Sequence, residues 1–122
     1  MNYSIGQFSK LINLSAPTLR YYEQEQLIVV KRDSGKRRYY TTEDIDWILF
    51  IKKLKDTGMP IKDIREYAVL RYQGDSTTRR RLEILETHKM KVMREKAQWD
   101  NNLRNLEEKI KIYQHKLDNN ES

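Results

Sequence analysis

Apolar residues in the first half of the chain recur in short bursts at helical spacing. Ile5, Phe8, Leu11 and Ile12 share one helix face, and Ser4 with Gln7 has the spacing of a capping box that would start it. Asn13 ends this helix. Ser15 caps the next, whose first turn tolerates Pro17, and Leu19 and Tyr22 point inward from it. Two short helices joined by Asn-Leu-Ser form a helix-turn-helix pattern. Leu27–Val30 is rich in β-formers, and Asp33-Ser34-Gly35 is turn chemistry between two extended arms, so a β-hairpin is expected here. Thr41 or Thr42 begins a third helix, with Glu43 and Asp44 in its first turn, where acids suit the helix dipole. Its expected inner face is Ile45, Ile48, Leu49 and Leu54, and Thr57-Gly58-Met59-Pro60 separates it from a fourth helix carrying Ile61, Ile64, Tyr67 and Ala68. Tyr22, Tyr40 and Trp47 are assigned to the core.

The second half has a different period. After a linker at Gln73-Gly74-Asp75-Ser76, seam positions alternate at spacings of three and four. They are Leu82, Leu85, Lys89, Val92, Lys96, Trp99, Leu103, Leu106, Ile110, Tyr113 and Leu117. This is a heptad seam, apolar except at the two lysines. At about 1.5 Å per residue such a helix is roughly 60 Å long. A domain of some seventy residues is too small to cover it, so a second copy of the same chain is the simplest partner. A lysine in a seam lowers stability but restricts register and orientation. Antiparallel pairing is expected, although the heptad pattern by itself fits parallel helices equally well. The organisation that follows is 1–72, winged helix-turn-helix; 73–78, linker; 79–118, dimerisation helix in an antiparallel coiled coil; 119–122, polar tail. The fold class is mainly α.

Charge sharpens this picture. The 122 residues carry a formal net charge of +6, which favours a polyanionic partner. The cations cluster at Lys31, Arg32, Lys36, Arg37 and Arg38 on the hairpin. There is no cysteine, so disulfides, thiolate metal sites and thiol-based sensing are excluded for this chain. His88 and His115 stand alone, without a ligand cluster at metal spacing. The N-terminus lacks a secretory pattern and no apolar run approaches a membrane span, so a cytoplasmic location is expected. No nucleophile with a paired base and no phosphate-cradling loop is visible, so neither an enzyme nor a cofactor is expected.

Four motifs then carry a resemblance. They are Tyr3-Ser4-Ile5-Gly6-Gln7, Ser15-Ala16-Pro17-Thr18-Leu19-Arg20-Tyr21-Tyr22-Glu23, Arg38-Tyr39-Tyr40-Thr41-Thr42-Glu43-Asp44-Ile45 and Leu54-Lys55-Asp56-Thr57-Gly58-Met59-Pro60-Ile61. In this order and spacing the chain resembles the MerR family of transcription regulators over nearly its whole length. Tyr72–Thr77, Arg81–Glu86 and Lys109–Tyr113 are similar to its aldehyde-responsive and thiol-stress subgroup. That subgroup usually has a cysteine in the third helix, whereas Phe50-Ile51-Lys52-Lys53-Leu54 has none. In the wing, the family glycine often lies two residues before the arginine, and here Gly35 lies three before Arg38, so a wing tip of different shape is expected.

The resemblance implies a homodimer on an inverted repeat of double-stranded promoter DNA. It also implies distortion of an overlong spacer so that RNA polymerase can engage both promoter elements. On the second helix, Thr18, Arg20 and Tyr21 face outward and are candidates for the major groove and its phosphates. Lys36, Arg37, Arg38 and Tyr39 of the wing are candidates for the backbone, and Lys55 is one by family likeness. Nothing resembles an appended sensor domain, so a small-molecule effector would need a pocket near Trp47 or Tyr67. Two other functions compete with this reading: an architectural or recombination accessory factor with the same winged domain, and a coiled-coil adaptor. The clustering of cations on the hairpin disfavours the adaptor.

Overall fold

Three of the first four helices end in the same way, and this closure shapes the N-terminal unit. The computed structural model describes residues Met1–Glu121. Strand β1 (Asn2–Ser4) leads into α1 (Ile5–Ile12), followed by α2 (Ala16–Gln24). Two short strands, β2 (Lys31–Arg32) and β3 (Arg38–Thr41), form the hairpin. Helices α3 (Thr42–Asp56) and α4 (Ile61–Gln73) come next, then a 3-10 turn (Asp75–Thr77) and α5 (Thr78–Glu121). Helices α1, α2 and α3 are each followed by a left-handed residue: Asn13 (φ 56°), Gln26 (φ 63°) and Gly58 (φ 81°). In each case the next amide reaches back five residues: Leu14 to Ser9, Leu27 to Tyr22 and Met59 to Leu54. These are Schellman closures, which satisfy carbonyls that the helix end leaves free.

The N-terminal caps follow the sequence signals. Ser4 and Gln7 form a reciprocal capping box at 3.1 and 2.9 Å. Thr41 and Asp44 form another at the start of α3, with the Thr41 amide donating to Asp44 Oδ2 at 2.8 Å. Pro60 is the N-cap of α4.

The sheet corrects the expected hairpin. Its order is β1-β3-β2, all antiparallel, with Tyr3 opposite Tyr40 and Arg32 opposite Arg38. Residues 27–30 are not a strand. Their backbone is claimed by side chains instead: Trp47 Nε1 donates to the Leu27 carbonyl at 3.0 Å, and the Val29 amide donates to Tyr72 Oη at 3.1 Å. Leu27 and Ile28 are buried as a plug between helices. The β-branched run therefore records burial rather than strand pairing.

Phe8, Leu19, Leu27, Tyr40, Ile48, Ile51 and Ile64 form the fully buried centre. Each contributes about 1.5–3 kcal/mol by leaving water. Phe8 stacks on Tyr40 with ring centres 4.7 Å apart and planes inclined by 10°. Leu11, expected inside, is exposed, because the buried stripe of this short helix runs through Phe8 and Ile12. On α3 the buried side chains are Trp47, Ile48, Ile51 and Leu54, while Ile45 and Leu49 are only half-buried. Trp47 and Tyr67 stack at 5.8 Å and are both buried, so they fill space rather than wall an open pocket.

The expected linker is mostly regular structure. Gly74 (φ 102°, ψ −166°) is the break, in a backbone region open essentially to glycine. Buried Thr77 fastens the turn through its single hydroxyl proton, with Oγ1 2.6 Å from the Leu70 carbonyl and 2.8 Å from the Gly74 carbonyl. Arg81 adds a bond to the Gly74 carbonyl at 3.3 Å. One compact unit spans Met1–Ile84 and a second spans Leu85–Ser122.

The second unit is the remainder of α5. Trp99, Leu103, Leu106, Ile110, Tyr113 and Leu117 are exposed along it, and Val92 is half-exposed. Leu85 is also half-exposed, while Leu82, in the first unit, is exposed. Met90 and Met93 are exposed beside the seam. Of the expected polar tail, residues 119–121 continue the helix and Ser122 lies outside the described residues. Among the described residues, no helix is long and apolar enough to cross a membrane.

Candidate nucleic-acid interface

Helix α2 buries Leu19 and Tyr22 and exposes Arg20 and Tyr21, with Thr18 and Glu23 half-buried between them. Ser15 caps it, accepting from the Thr18 amide at 3.2 Å, and the two hydroxyls are hydrogen-bonded at 2.7 Å. Thr18, expected to face outward, is half-buried and bound into the cap. Leu19 and Tyr22 anchor the inner face. Arg20 is exposed and has no ion-pair partner among the described residues. Tyr21 is exposed beside it.

Lys55 comes to the same place from α3. Its Nζ lies 5.3 Å from the centre of the Tyr21 ring and 5.2 Å from that of Tyr22. The two rings are 6.4 Å apart. An ammonium over aromatic faces is held without losing its charge, so it remains available to a phosphate. Burial pushes the Tyr22 hydroxyl above the usual phenol range, so this ring stays neutral at physiological pH.

The wing tip is a compact turn built on Asp33. Its Oδ1 accepts from the Gly35 amide at 2.8 Å and the Arg37 amide at 3.0 Å. The Lys36 amide donates to the Asp33 carbonyl at 2.9 Å, and the Asp33 amide to the Arg37 carbonyl at 3.0 Å. Lys36 has φ 61°, whereas Gly35 is not left-handed. The left-handed site is thus two residues before Arg38 and is occupied by lysine. Lys36 and Arg37 are exposed, with no ion-pair partner among the described residues. Tyr39 is half-buried opposite Lys31.

Arg38 differs from its neighbours. Its Nε donates to Glu23 Oε1 at 2.8 Å, and the same carboxylate accepts from Arg32 Nη2 through Oε2 at 3.1 Å. The Glu23 bond holds the Arg38 guanidinium even further above neutrality than usual. Arg38 is therefore a link between wing and α2. Glu23 was not singled out in the sequence, because no spacing rule relates it to residues nine and fifteen positions away. Arg65 was missed for the same reason. It braces α4 against the end of α2 through the Glu25 carboxylate at 2.6 Å and the Glu25 carbonyl at 2.9 Å.

The structure thus brings Tyr21 of α2 and Lys55 of α3 together, with Arg20 exposed on α2 one residue before Tyr21. It joins the hairpin to α2 through Glu23. Lys36 and Arg37 form the separate cationic tip.

Comparison with known proteins is consistent across sequence and structure. Residues 3–69 match the family of MerR HTH family regulatory proteins, and residues 45–110 match a MerR DNA-binding family. An HTH-type transcriptional regulator of Haemophilus influenzae is 36% identical over 115 residues, covering 93% of this chain and 85% of that protein. The HTH-type transcriptional regulator AdhR of Bacillus subtilis is 41% identical over 92 residues, covering 74% and 65%. Among solved structures, HiNmlR, a MerR family regulator lacking the sensor domain and bound to promoter DNA, superposes with a TM-score of 0.77. It is 36% identical and covers 93% of this chain and 91% of its own. A MerR family transcriptional regulator from Bacillus thuringiensis is 31% identical, with a TM-score of 0.73 and coverage of 90% and 97%. The chain belongs to the MerR family of DNA-binding transcriptional regulators.

Proposed function

We propose that this regulator acts as a homodimer on an inverted repeat inside a promoter, distorting the spacer DNA and so controlling RNA polymerase in the cytoplasm. The observation that carries the reading is the helix-and-hairpin unit itself. Exposed Arg20 and Tyr21 lie on a helix that Glu23 ties to a hairpin carrying Lys36 and Arg37. Such a unit offers one element to a groove and a cationic one to the backbone. Its similarity to HiNmlR, which was solved on promoter DNA, supports the same partner here. The exposed seam from Leu82 to Leu117 supports pairing through α5. A cysteine trigger has no place in this chain, so any effector would act without a thiol.

The test is a gel shift and footprint on the regulator's own upstream region, with wild type and Arg20→Ala, across a salt series. A short protected inverted repeat between the promoter elements, steeply salt-dependent and lost in Arg20→Ala, is the expected result. Salt-insensitive binding, or none, by a folded dimer would reject the reading in favour of a coiled-coil adaptor.

A further inference from the structure

Glu23 is an anion facing the cations of the hairpin, Arg32 and Arg38. It lies three residues after Arg20 on α2, and so on a neighbouring part of the same helix surface. For a surface that meets phosphates, a carboxylate there is electrostatically unfavourable. Its geometry shows a compensating role. One oxygen holds Arg38 at 2.8 Å and the other holds Arg32 at 3.1 Å. These two arginines are register partners across the hairpin. A single side chain therefore grips both strands at the pair that borders the wing turn. The Glu23 and Arg38 side chains are 23% and 31% exposed, so the link is partly sheltered from solvent.

Two strands held at one point have less freedom to swing than a hairpin held by its sheet edge alone. β2 contributes only two residues to that sheet, so pairing by itself constrains it weakly. The wing turn, with Lys36 and Arg37, follows directly on this pair.

We propose that Glu23 is a positioning and specificity-determining residue, whose bridge to Arg32 and Arg38 sets the placement of the wing relative to α2. This rests on the DNA-binding reading above. A fixed placement favours the one duplex geometry that satisfies both elements, while the carboxylate's charge weakens binding to any other duplex. Specificity is a difference of affinities, and Glu23 acts on both sides of that difference.

The experiment measures binding of the full chain to its footprinted operator duplex and to a scrambled duplex of equal length, at fixed salt. Glu23→Gln keeps the shape and removes the charge. Its scrambled-duplex affinity should rise, its operator affinity should fall, and the ratio should drop by about tenfold or more, the size of one charge-assisted hydrogen bond. Arg38→Gln breaks the bridge from the other side with the opposite change in charge. It should lower both affinities and still reduce the ratio. A merely electrostatic role would move both duplexes together and leave the ratio unchanged in both variants, which would overturn the proposal. Thermal melting identifies a variant that fails to fold, and the other then decides. If wild type itself does not distinguish the duplexes, the regulator reading fails together with this one. If wild type discriminates and both variants keep its ratio, only the role of Glu23 is lost.

Discussion

The Lys55 ammonium sits 5.3 Å from the centre of the Tyr21 ring, although the two residues lie on different helices. Replacing Lys55 by Met keeps most of the aliphatic stem and removes the charge. Stability should fall by about 0.5–1 kcal/mol, the size of an exposed cation–π contact. Duplex affinity should fall for all sequences, with the salt slope reduced by about one. Urea denaturation and a salt titration check the two parts separately. An unchanged slope would remove Lys55 from the phosphate-contacting set.

Lys36 holds a left-handed backbone at φ 61°, which L side chains adopt at a cost of roughly 1–2 kcal/mol. Lys36→Gly should therefore stabilise the free protein by up to about 1 kcal/mol, less than the full cost because glycine loses more entropy on folding. It should also weaken DNA binding by removing a wing cation. Stability and affinity would then move in opposite directions, measured by melting and by gel shift. Loss of stability would show that the wing turn does not have this conformation in solution.

Tyr40 carries a buried hydroxyl without a hydrogen-bond partner among the described residues. Burial pushes its pKa up, and the nearby Glu23 carboxylate adds to this, so the group stays protonated through the physiological range. Tyr40→Phe keeps the stack on Phe8 and removes the lone hydroxyl. The melting temperature should stay constant or rise, because an unsatisfied buried polar group is itself destabilising. A loss of more than about 1 kcal/mol would mean that the hydroxyl has a partner in solution.

Gly74 separates α4 from the 3-10 turn in a conformation that other residues rarely adopt. A Cβ there would meet nothing within 4 Å, so the cost of Gly74→Ala is conformational rather than steric with neighbours. It should be about 1–3 kcal/mol, measured as a fall in the denaturation midpoint. A neutral result would mean that the junction can adopt another path.

A parallel, in-register dimer would set Lys89 and Lys96 against their own copies along the seam, which like charges oppose. Antiparallel helices avoid this. Because the chain lacks cysteine, a single spin label at Leu117→Cys reports the arrangement directly. Labels about 50 Å apart, from a rise of 1.5 Å per residue, are expected for antiparallel helices. A separation near 10 Å, roughly one helix-to-helix distance, would establish the parallel form.

Much of this architecture was readable along the chain because its signals are local. The Ser4–Gln7 box, the Asn13 and Gly58 stops and the heptad seam each depend on residues within a few positions of one another. The clustering of hairpin cations and the absence of thiols are likewise properties of the chain itself. They were sufficient to indicate a basic winged domain with a long helix, and the four motifs added the family.

What only the tertiary structure decided was how distant residues are used. Leu27–Val30 reads as a strand until Trp47 and Tyr72 take its backbone bonds. β1 exists because three polar and aromatic residues find an edge of β3. Arg38 reads as a free cation until folding brings Glu23 within 2.8 Å. Periodicity records which way a side chain faces, and composition records its charge. Neither records which partner, tens of positions away, competes for the same hydrogen bond, because that competition is settled only when the chain has packed.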